Sequence, residues 1–323
     1  MKIILRILTG MSIIVIVFVL YVLFSWDKQF DAPYPDLKAS TDSATIARGK
    51  YLAFGPAHCS VCHVPMDKVM AVDAGMEMPL IGGWEMPIPP GTFRAPNLTS
   101  DKETGIGNRS DAEIARTMRY MVHHDGRLVF PFMPFQQMSD EDVIAIISFL
   151  RAQEPVNNEV PQSDYSFLGK ALIALGAIKA EGPKSDPPVS FVRDTTVLYG
   201  SYIANSVANC VGCHTARDLK TGEFIGEPFA GGFYMAPDEL SKGYAFVTPN
   251  LTPDPETGSM AQWSEEMFVN RFRFGRINEG SHMPWGTFSR MDDLDLRAVY
   301  RYLKSLEPVN NKIEKIVFAP GEI

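Results

Sequence analysis

The pentapeptide Cys59-Ser60-Val61-Cys62-His63 recurs 151 positions later as Cys210-Val211-Gly212-Cys213-His214, and these two segments contain every cysteine of the 323-residue chain. C-x-x-C-H is the spacing of covalent c-type haem attachment. Two thiols one helical turn apart can each form a thioether to one haem vinyl group, and the adjacent His is then carried to the iron as an axial ligand. One copy alone is also compatible with chance, a zinc half-site or a redox C-x-x-C. Two copies with no cysteine left over predict two covalently bound haem c groups, on Cys59 and Cys62 and on Cys210 and Cys213, with His63 and His214 on the irons. Cysteines used in this way leave none for a disulfide framework.

Aligning the chain on these motifs brings much else into register. Gly49 matches Gly200, Tyr51 matches Tyr202, and Pro96-Asn97-Leu98-Thr99 matches Pro249-Asn250-Leu251-Thr252. Glu103-Thr104-Gly105 matches Glu256-Thr257-Gly258, Met133-Pro134 matches Met283-Pro284, and Glu154-Pro155-Val156-Asn157-Asn158 matches Glu307-Pro308-Val309-Asn310-Asn311. A period near 150 residues is too long for a solenoid and indicates two copies of one domain. The predicted division is an anchor over 1–26, a tether over 27–42, a first domain over 43–158, a linker over 159–194 and a second domain over 195–315. Each copy reads as a helix entering the haem motif, a Gly- and Pro-rich loop, a middle helix from Asp111 or Glu265, and a final helix with an acidic first turn. Little of the sequence alternates with period two, so the expected fold class is all-α. Gly49 and Gly200 are expected to let the first helix of each copy cross the last closely, against Phe149 and Tyr302.

Ile7 to Trp26 is a 20-residue stretch without a charge, preceded by Lys2 and Arg6. That length spans a bilayer, whereas the apolar region of a signal peptide is usually about 7–15 residues. Tyr21 and Trp26 suit an interfacial aromatic belt, and the basic residues place Met1 in the cytoplasm. The reading is a transmembrane helix, the alternative a long cleaved signal peptide; either exports the remainder of the chain, as covalent haem attachment requires in bacteria. Net charge is −8 at pH 7, which disfavours nucleic acid as a partner and suits one with a basic docking patch. In the linker, Asp164 to Lys179 is amphipathic; it reads as a helix packed across the domains or as a contact with the membrane surface or a partner subunit.

Met133 and Met283 are the expected second iron ligands. Each precedes a Pro, follows the middle helix, and lies 74 or 73 residues after the first cysteine of its copy. A His/Met pair favours Fe(II), raises the potential and leaves no open coordination position. Met138 and Met291 are the nearest rivals, and each more simply packs before the final helix. His123 or His124 offers a bis-His alternative for the first haem, against a solvated helix end. His58 and His282 have no counterpart in the other copy. No dinucleotide fingerprint, phosphate loop or nucleophile elbow is present.

The C-x-x-C-H motifs, Pro-Asn-Leu-Thr with Glu-Thr-Gly downstream, Met-Pro-aromatic (Met133-Pro134-Phe135 and Met283-Pro284-Trp285) and the closing Glu-Pro-Val resemble the c-type cytochrome subunits of membrane-bound bacterial alcohol, aldehyde and gluconate dehydrogenases. The likeness covers residues 43–158 and 195–311. It implies tandem class I-like cytochrome c domains, His/Met ligation, and electron relay from a dehydrogenase towards quinone or an oxidase. Those subunits usually carry three haem motifs and a C-terminal attachment, whereas this chain has two motifs and an N-terminal apolar span. The expected function is a periplasmic di-haem electron carrier held in the bacterial inner membrane, exchanging electrons with a dehydrogenase, an oxidase or a soluble cytochrome. The competing readings are a di-haem enzyme, such as a peroxidase or sulfur-compound oxidase, and an obligate subunit of a larger respiratory or photosynthetic complex.

Overall fold

The computed structural model describes residues 1–218 and 222–322. Helix α1 (Lys2–Ser25) has nearly all of its side chains exposed and meets the rest of the chain towards its C-terminal end, where Val22 is buried against Ala171 and Ala174. By length and composition it could cross a membrane. The first copy contains α2 (Ser43–Phe54), a 3-10 turn (Cys59–Val61), α3 (Val69–Asp73), α4 (Asp111–Tyr120) and α5 (Asp140–Ala152). The linker carries α6 (Phe167–Ala174). The second copy contains α7 (Val197–Tyr202), continued by a π turn, then α8 (Cys210–Cys213), α9 (Glu265–Arg273), α10 (Trp285–Phe288) and α11 (Asp293–Lys304).

The helix boundaries have local causes. Asp42, Ser110, Ser139, Ser166, Thr196 and Ser264 each accept a backbone N–H of the first turn, and Ser110 with Glu113 completes a reciprocal capping box. Helix α4 stops at Tyr120 because Met121 turns left-handed and Val122 bridges to Leu128. His123 and His124 therefore sit in a turn, where His123 N–H donates to Arg127 O at 2.8 Å. Helix α6 is shorter than the amphipathic pattern: Ser166 caps its start, and Gly176 adopts a positive φ just beyond its end.

Helix pairs α2/α5 and α7/α11 pack by the expected close approach. A Cβ at Gly49 would lie 1.8 Å from Ala145 O and 2.8 Å from Phe149 Cβ. At Gly200 it would lie 2.0 Å from Ala298 O and 3.0 Å from Tyr302 Cβ. Only hydrogen fits at either crossing.

The all-α expectation needs a correction. The chain is mostly helical, but it also forms two three-stranded antiparallel sheets. In one, β1 (Glu85–Ile88) pairs with β2 (Gly91–Arg94) and β2 with β3 (Asp164–Tyr165). In the other, β4 (Tyr234–Met235) pairs with β5 (Ala245–Val247) and β5 with β6 (Val317–Phe318). Strands of two to four residues are too short to show alternation in a sequence. The sheets are equivalent, since β3 and β6 each begin six residues after the closing Asn158 or Asn311. The buried core is continuous, running from Leu52, Ile146 and Ile147 to Ile203, Leu296 and Val299.

Candidate haem sites

Each C-x-x-C-H motif begins with a sharp reversal. His58 and Asn209, immediately before the first cysteine, both adopt left-handed backbone at φ 44° and 51°. One turn comes next, with His63 N–H donating to Cys59 O and His214 N–H to Cys210 O, each at 2.9 Å. This puts both sulfurs and the imidazole on a single helical turn. All four cysteines are free, and burial pushes the thiols of Cys59, Cys62 and Cys210 up to about 12.

The imidazoles are oriented identically. His63 Nδ1 lies 2.9 Å from Pro96 O, and His214 Nδ1 lies 3.1 Å from Pro249 O. A carbonyl only accepts, so Nδ1 carries the proton and Nε2 keeps its lone pair. Burial holds both rings below the ordinary histidine range, which keeps them neutral. A neutral ring whose other nitrogen is pinned to a backbone carbonyl is what an iron ligand needs.

The Pro-Asn-Leu-Thr loop that supplies those carbonyls is itself fastened. Asn97 Nδ2 donates to Val156 O at 2.8 Å, and its Oδ1 accepts from Thr99 N and Thr99 Oγ1 at 2.9 and 2.8 Å. Asn250 repeats all three bonds, at the same lengths, with Val309 and Thr252. Asn158 and Asn311 donate to Ile81 O and Ala230 O, both at 2.8 Å. The next residues, Gly82 and Gly231, donate back to His63 O and His214 O. Both have positive φ, and a Cβ on either would meet the backbone of the proline loop at 2.5 Å. The Asn-Leu-Thr and closing Val-Asn-Asn segments are thus one brace behind each histidine.

The four recurring methionines differ in burial. Met138 and Met291 are buried core residues. Arg119 and Arg273 donate to their carbonyls from the ends of α4 and α9, so these residues hold the entry to the final helix. Met133 and Met283 are half-buried and pack against the same apolar cluster as Cys59, Cys62 and Cys210. His123 faces the Asp125–Arg127 turn, and burial takes its ring down to about 4.

Two further residues had no signal in the repeat. Trp84 Nε1 and Arg217 Nε are buried N–H donors with no acceptor among the described residues. Trp84 lies in the cluster that receives Cys59 and Met133, and Arg217 lies beside Cys213. Unpaired buried donors cost about 1–3 kcal/mol each, and haem propionates are acceptors of the right charge. The donor set therefore fits haem: paired thiols on one turn, an oriented neutral imidazole, a thioether near the same apolar surface, and unused N–H groups.

No protein-family model matches the chain. It is similar to the cytochrome c subunit of a quinone-dependent alcohol dehydrogenase from Gluconacetobacter polyoxogenes, 31% identical over 285 residues, covering 83% of this chain and 57% of that protein. It is also similar to the gluconate 2-dehydrogenase cytochrome c subunit of Pantoea cypripedii, 28% identical, covering 82% and 60%. A diheme cytochrome c-type protein of Cereibacter sphaeroides is 26% identical, covering 85% and 90%. Site and ancestry together define a c-type cytochrome, an electron-transfer protein with covalently bound haem c. Within that class the chain is similar to the cytochrome c subunits of alcohol, gluconate and fructose dehydrogenases, as the motifs imply. It spans little more than half the length of those subunits.

Proposed function

We propose that the chain is a membrane-anchored, extracytoplasmic di-haem cytochrome c in the bacterial cytoplasmic membrane. It relays electrons between a donor dehydrogenase or quinol-oxidising complex and a terminal acceptor. Cys59 and Cys62 hold one haem and Cys210 and Cys213 the other. His63 with Met133, and His214 with Met283, are the axial ligands. Haem c supplies the Fe(III)/Fe(II) couple; the protein supplies the ligands, the fixed imidazole tautomer and an apolar wall that excludes water.

The observation that carries this reading is the duplicated bond from motif histidine to proline carbonyl, at 2.9 and 3.1 Å. Each copy has the same brace behind it, so each is built to orient one ring. Helix α1 supports the anchor: it is 24 residues long and apolar, and Val22 near its end is buried against Ala171 and Ala174.

Absorption and electron paramagnetic resonance spectra of Met133→Ala and Met283→Ala test the ligand set. Each variant should convert one haem to an altered spin state and leave the other low-spin. An unchanged spectrum in either variant overturns that assignment, and an intact mass showing a single haem overturns the count.

The relatives being dehydrogenase subunits favours a further reading, that this chain too is an obligate subunit of a complex. Purification in mild detergent, with identification of bound proteins, separates it from a free carrier: a monodisperse protein without partners excludes the subunit.

A further inference from the structure

Helix α6 is clamped between α1 and the first copy. On one side, Val22 of α1 is buried under Ala171 and Ala174, Phe18 meets Phe167 edge-on at 6.4 Å, and Lys170 Nζ lies 4.7 Å over the Trp26 ring. Tyr21 Oη and Lys28 Nζ both donate to Ala174 O, at 3.1 and 2.8 Å. On the other side, Ser166 bonds Pro89 O and Pro90 O at the β1–β2 turn, and a Cβ at Gly169 would lie 2.0 Å from Pro90 O. Gly169 therefore lets α6 seat directly on that turn.

The remaining face of α6 is apolar and uncovered. Leu168 and Leu175 are 49% and 61% exposed, and Leu172 lies between them at helical spacing. This stripe continues the exposed apolar surface of α1, where Phe18, Tyr21 and Phe24 are 40%, 46% and 85% exposed. Lys170 and Lys28 are engaged on the opposite, α1-facing side of the helix, over Trp26 and on Ala174 O.

Depth along α1 says what covers the stripe. Eight residues separate Phe18 from Trp26, about 12 Å along the helix axis at 1.5 Å per residue. With Trp26 at the membrane surface, the Phe18–Phe167 contact falls below the headgroups. Amphipathic helices that lie in the interface bury their apolar face about 5–10 Å into the headgroup and acyl boundary. A helix held at that level with its leucines outward has lipid as its neighbour.

We infer that α6 is a membrane-surface helix whose Leu168–Leu172–Leu175 stripe enters the bilayer leaflet in which α1 ends, so that α6 together with α1 holds the body in one orientation on the membrane. This inference rests on the reading of α1 as a membrane anchor. It makes the first copy the membrane-proximal one. Trp26 contacts Tyr165 at 6.0 Å, Tyr165 contacts Phe93 at 5.4 Å, and Phe93 contacts Phe130 and Phe132, the latter adjacent to Met133.

The test uses the full-length haem-loaded protein, one copy per nanodisc of phosphatidylcholine and phosphatidylglycerol. Single cysteines are introduced as Leu168→Cys, Leu175→Cys, Ile14→Cys within α1, and Ile277→Cys, an exposed position of the second copy. Reaction with a charged maleimide is monitored by intact mass, each variant first being checked for the unaltered haem spectrum. Protection of Leu168→Cys and Leu175→Cys at least tenfold relative to Ile277→Cys, together with protection of Ile14→Cys, is the expected result. If Ile14→Cys is protected while both α6 positions react like Ile277→Cys, the anchor stands and the inference is overturned. If Ile14→Cys itself reacts freely, the anchor reading fails and takes the inference with it.

Discussion

Tyr202 donates a 2.7 Å hydrogen bond to Asp142, a carboxylate of the opposite copy, and accepts one from Ser139 N at 3.1 Å. Tyr51 does the same in the other direction, donating to Asp295 at 2.6 Å and accepting from Asp292 N at 2.9 Å. Each tyrosine thus seals the N-terminus of the other copy's final helix. Within its own copy Asp142 takes a bidentate pair from Arg48 at 2.9 and 3.0 Å, and Asp295 accepts from Tyr199 at 2.9 Å. Arg193 adds bonds to Asp292 and Asp295 at 2.8 and 3.4 Å. Burial, reinforced by the neighbouring aspartates, pushes Tyr51 and Tyr202 far above the usual phenol range, so both remain donors. The network lies between α2, α5, α7 and α11 and fixes the two copies as one body.

This network should carry much of the stability of the interface. Asp142→Ala leaves the Arg48 guanidinium buried without its carboxylate, which costs about 3–5 kcal/mol. Tyr202→Phe removes one charge-assisted bond, about 1.5–3 kcal/mol. Asp36→Ala, at an exposed carboxylate, should stay within about 0.5 kcal/mol. Guanidinium unfolding of the haem-loaded protein, read by haem absorbance and tyrosine fluorescence, measures all three. An Asp142→Ala midpoint equal to that of Asp36→Ala would show that the copies are held by something else.

The four repeated methionines should separate by spectrum rather than by stability. Met138→Leu and Met291→Leu change shape in a packed core at nearly constant volume, costing under about 1.5 kcal/mol, and should leave both haems low-spin. Met133→Leu and Met283→Leu should open one iron each to carbon monoxide. Carbon monoxide binding by Met138→Leu in place of Met133→Leu would move the ligand to the methionine that opens the final helix.

How far the sequence reached depends on the kind of signal. The Gly49 and Gly200 crossings were legible because a bare Cα recurs opposite an aromatic in both copies. The recurrence of Asn97 and Asn250 was legible, but their grip on Val156 and Val309 was not, since partners 59 residues apart leave no periodic trace. Tyr51 and Tyr202 could be aligned, yet nothing in the alignment says that each bonds across the copies. Strands β3 and β6 were hidden because two-residue strands take their place from a neighbouring edge and not from side-chain pattern. Trp84 and Arg217 were missed because neither recurs: Phe233 replaces the first and Met66 the second.

Asn97 and Asn250 are expected to matter to the haem through the histidine. Asn97→Ala removes the bonds to Val156 O and to Thr99 N and Oγ1, leaving buried partners unsatisfied at about 1–3 kcal/mol each. The Pro96 carbonyl then loses its brace and the His63 ring its fixed orientation. Redox titration should show one of two potentials shifted while the other holds, and Asn250→Ala should shift the other. Loss of stability with both potentials unchanged would make the asparagine a fold residue only.

The glycine crossings give the sharpest steric test. A methyl group at Gly49 would sit 1.8 Å from Ala145 O, and one at Gly200 2.0 Å from Ala298 O. Backbone cannot yield as a side-chain tip does, so Gly49→Ala and Gly200→Ala must force α2 from α5 or α7 from α11. Overpacking of this kind costs about 1–3 kcal/mol and more where helices must separate. Gly10→Ala meets nothing within 4 Å and serves as the control. The first two variants should melt at lower temperature and load less haem, because α2 and α7 lead directly into Cys59 and Cys210. Gly10→Ala should match the parent in both respects. If Gly49→Ala also matches the parent, α2 and α5 do not cross at the distance described.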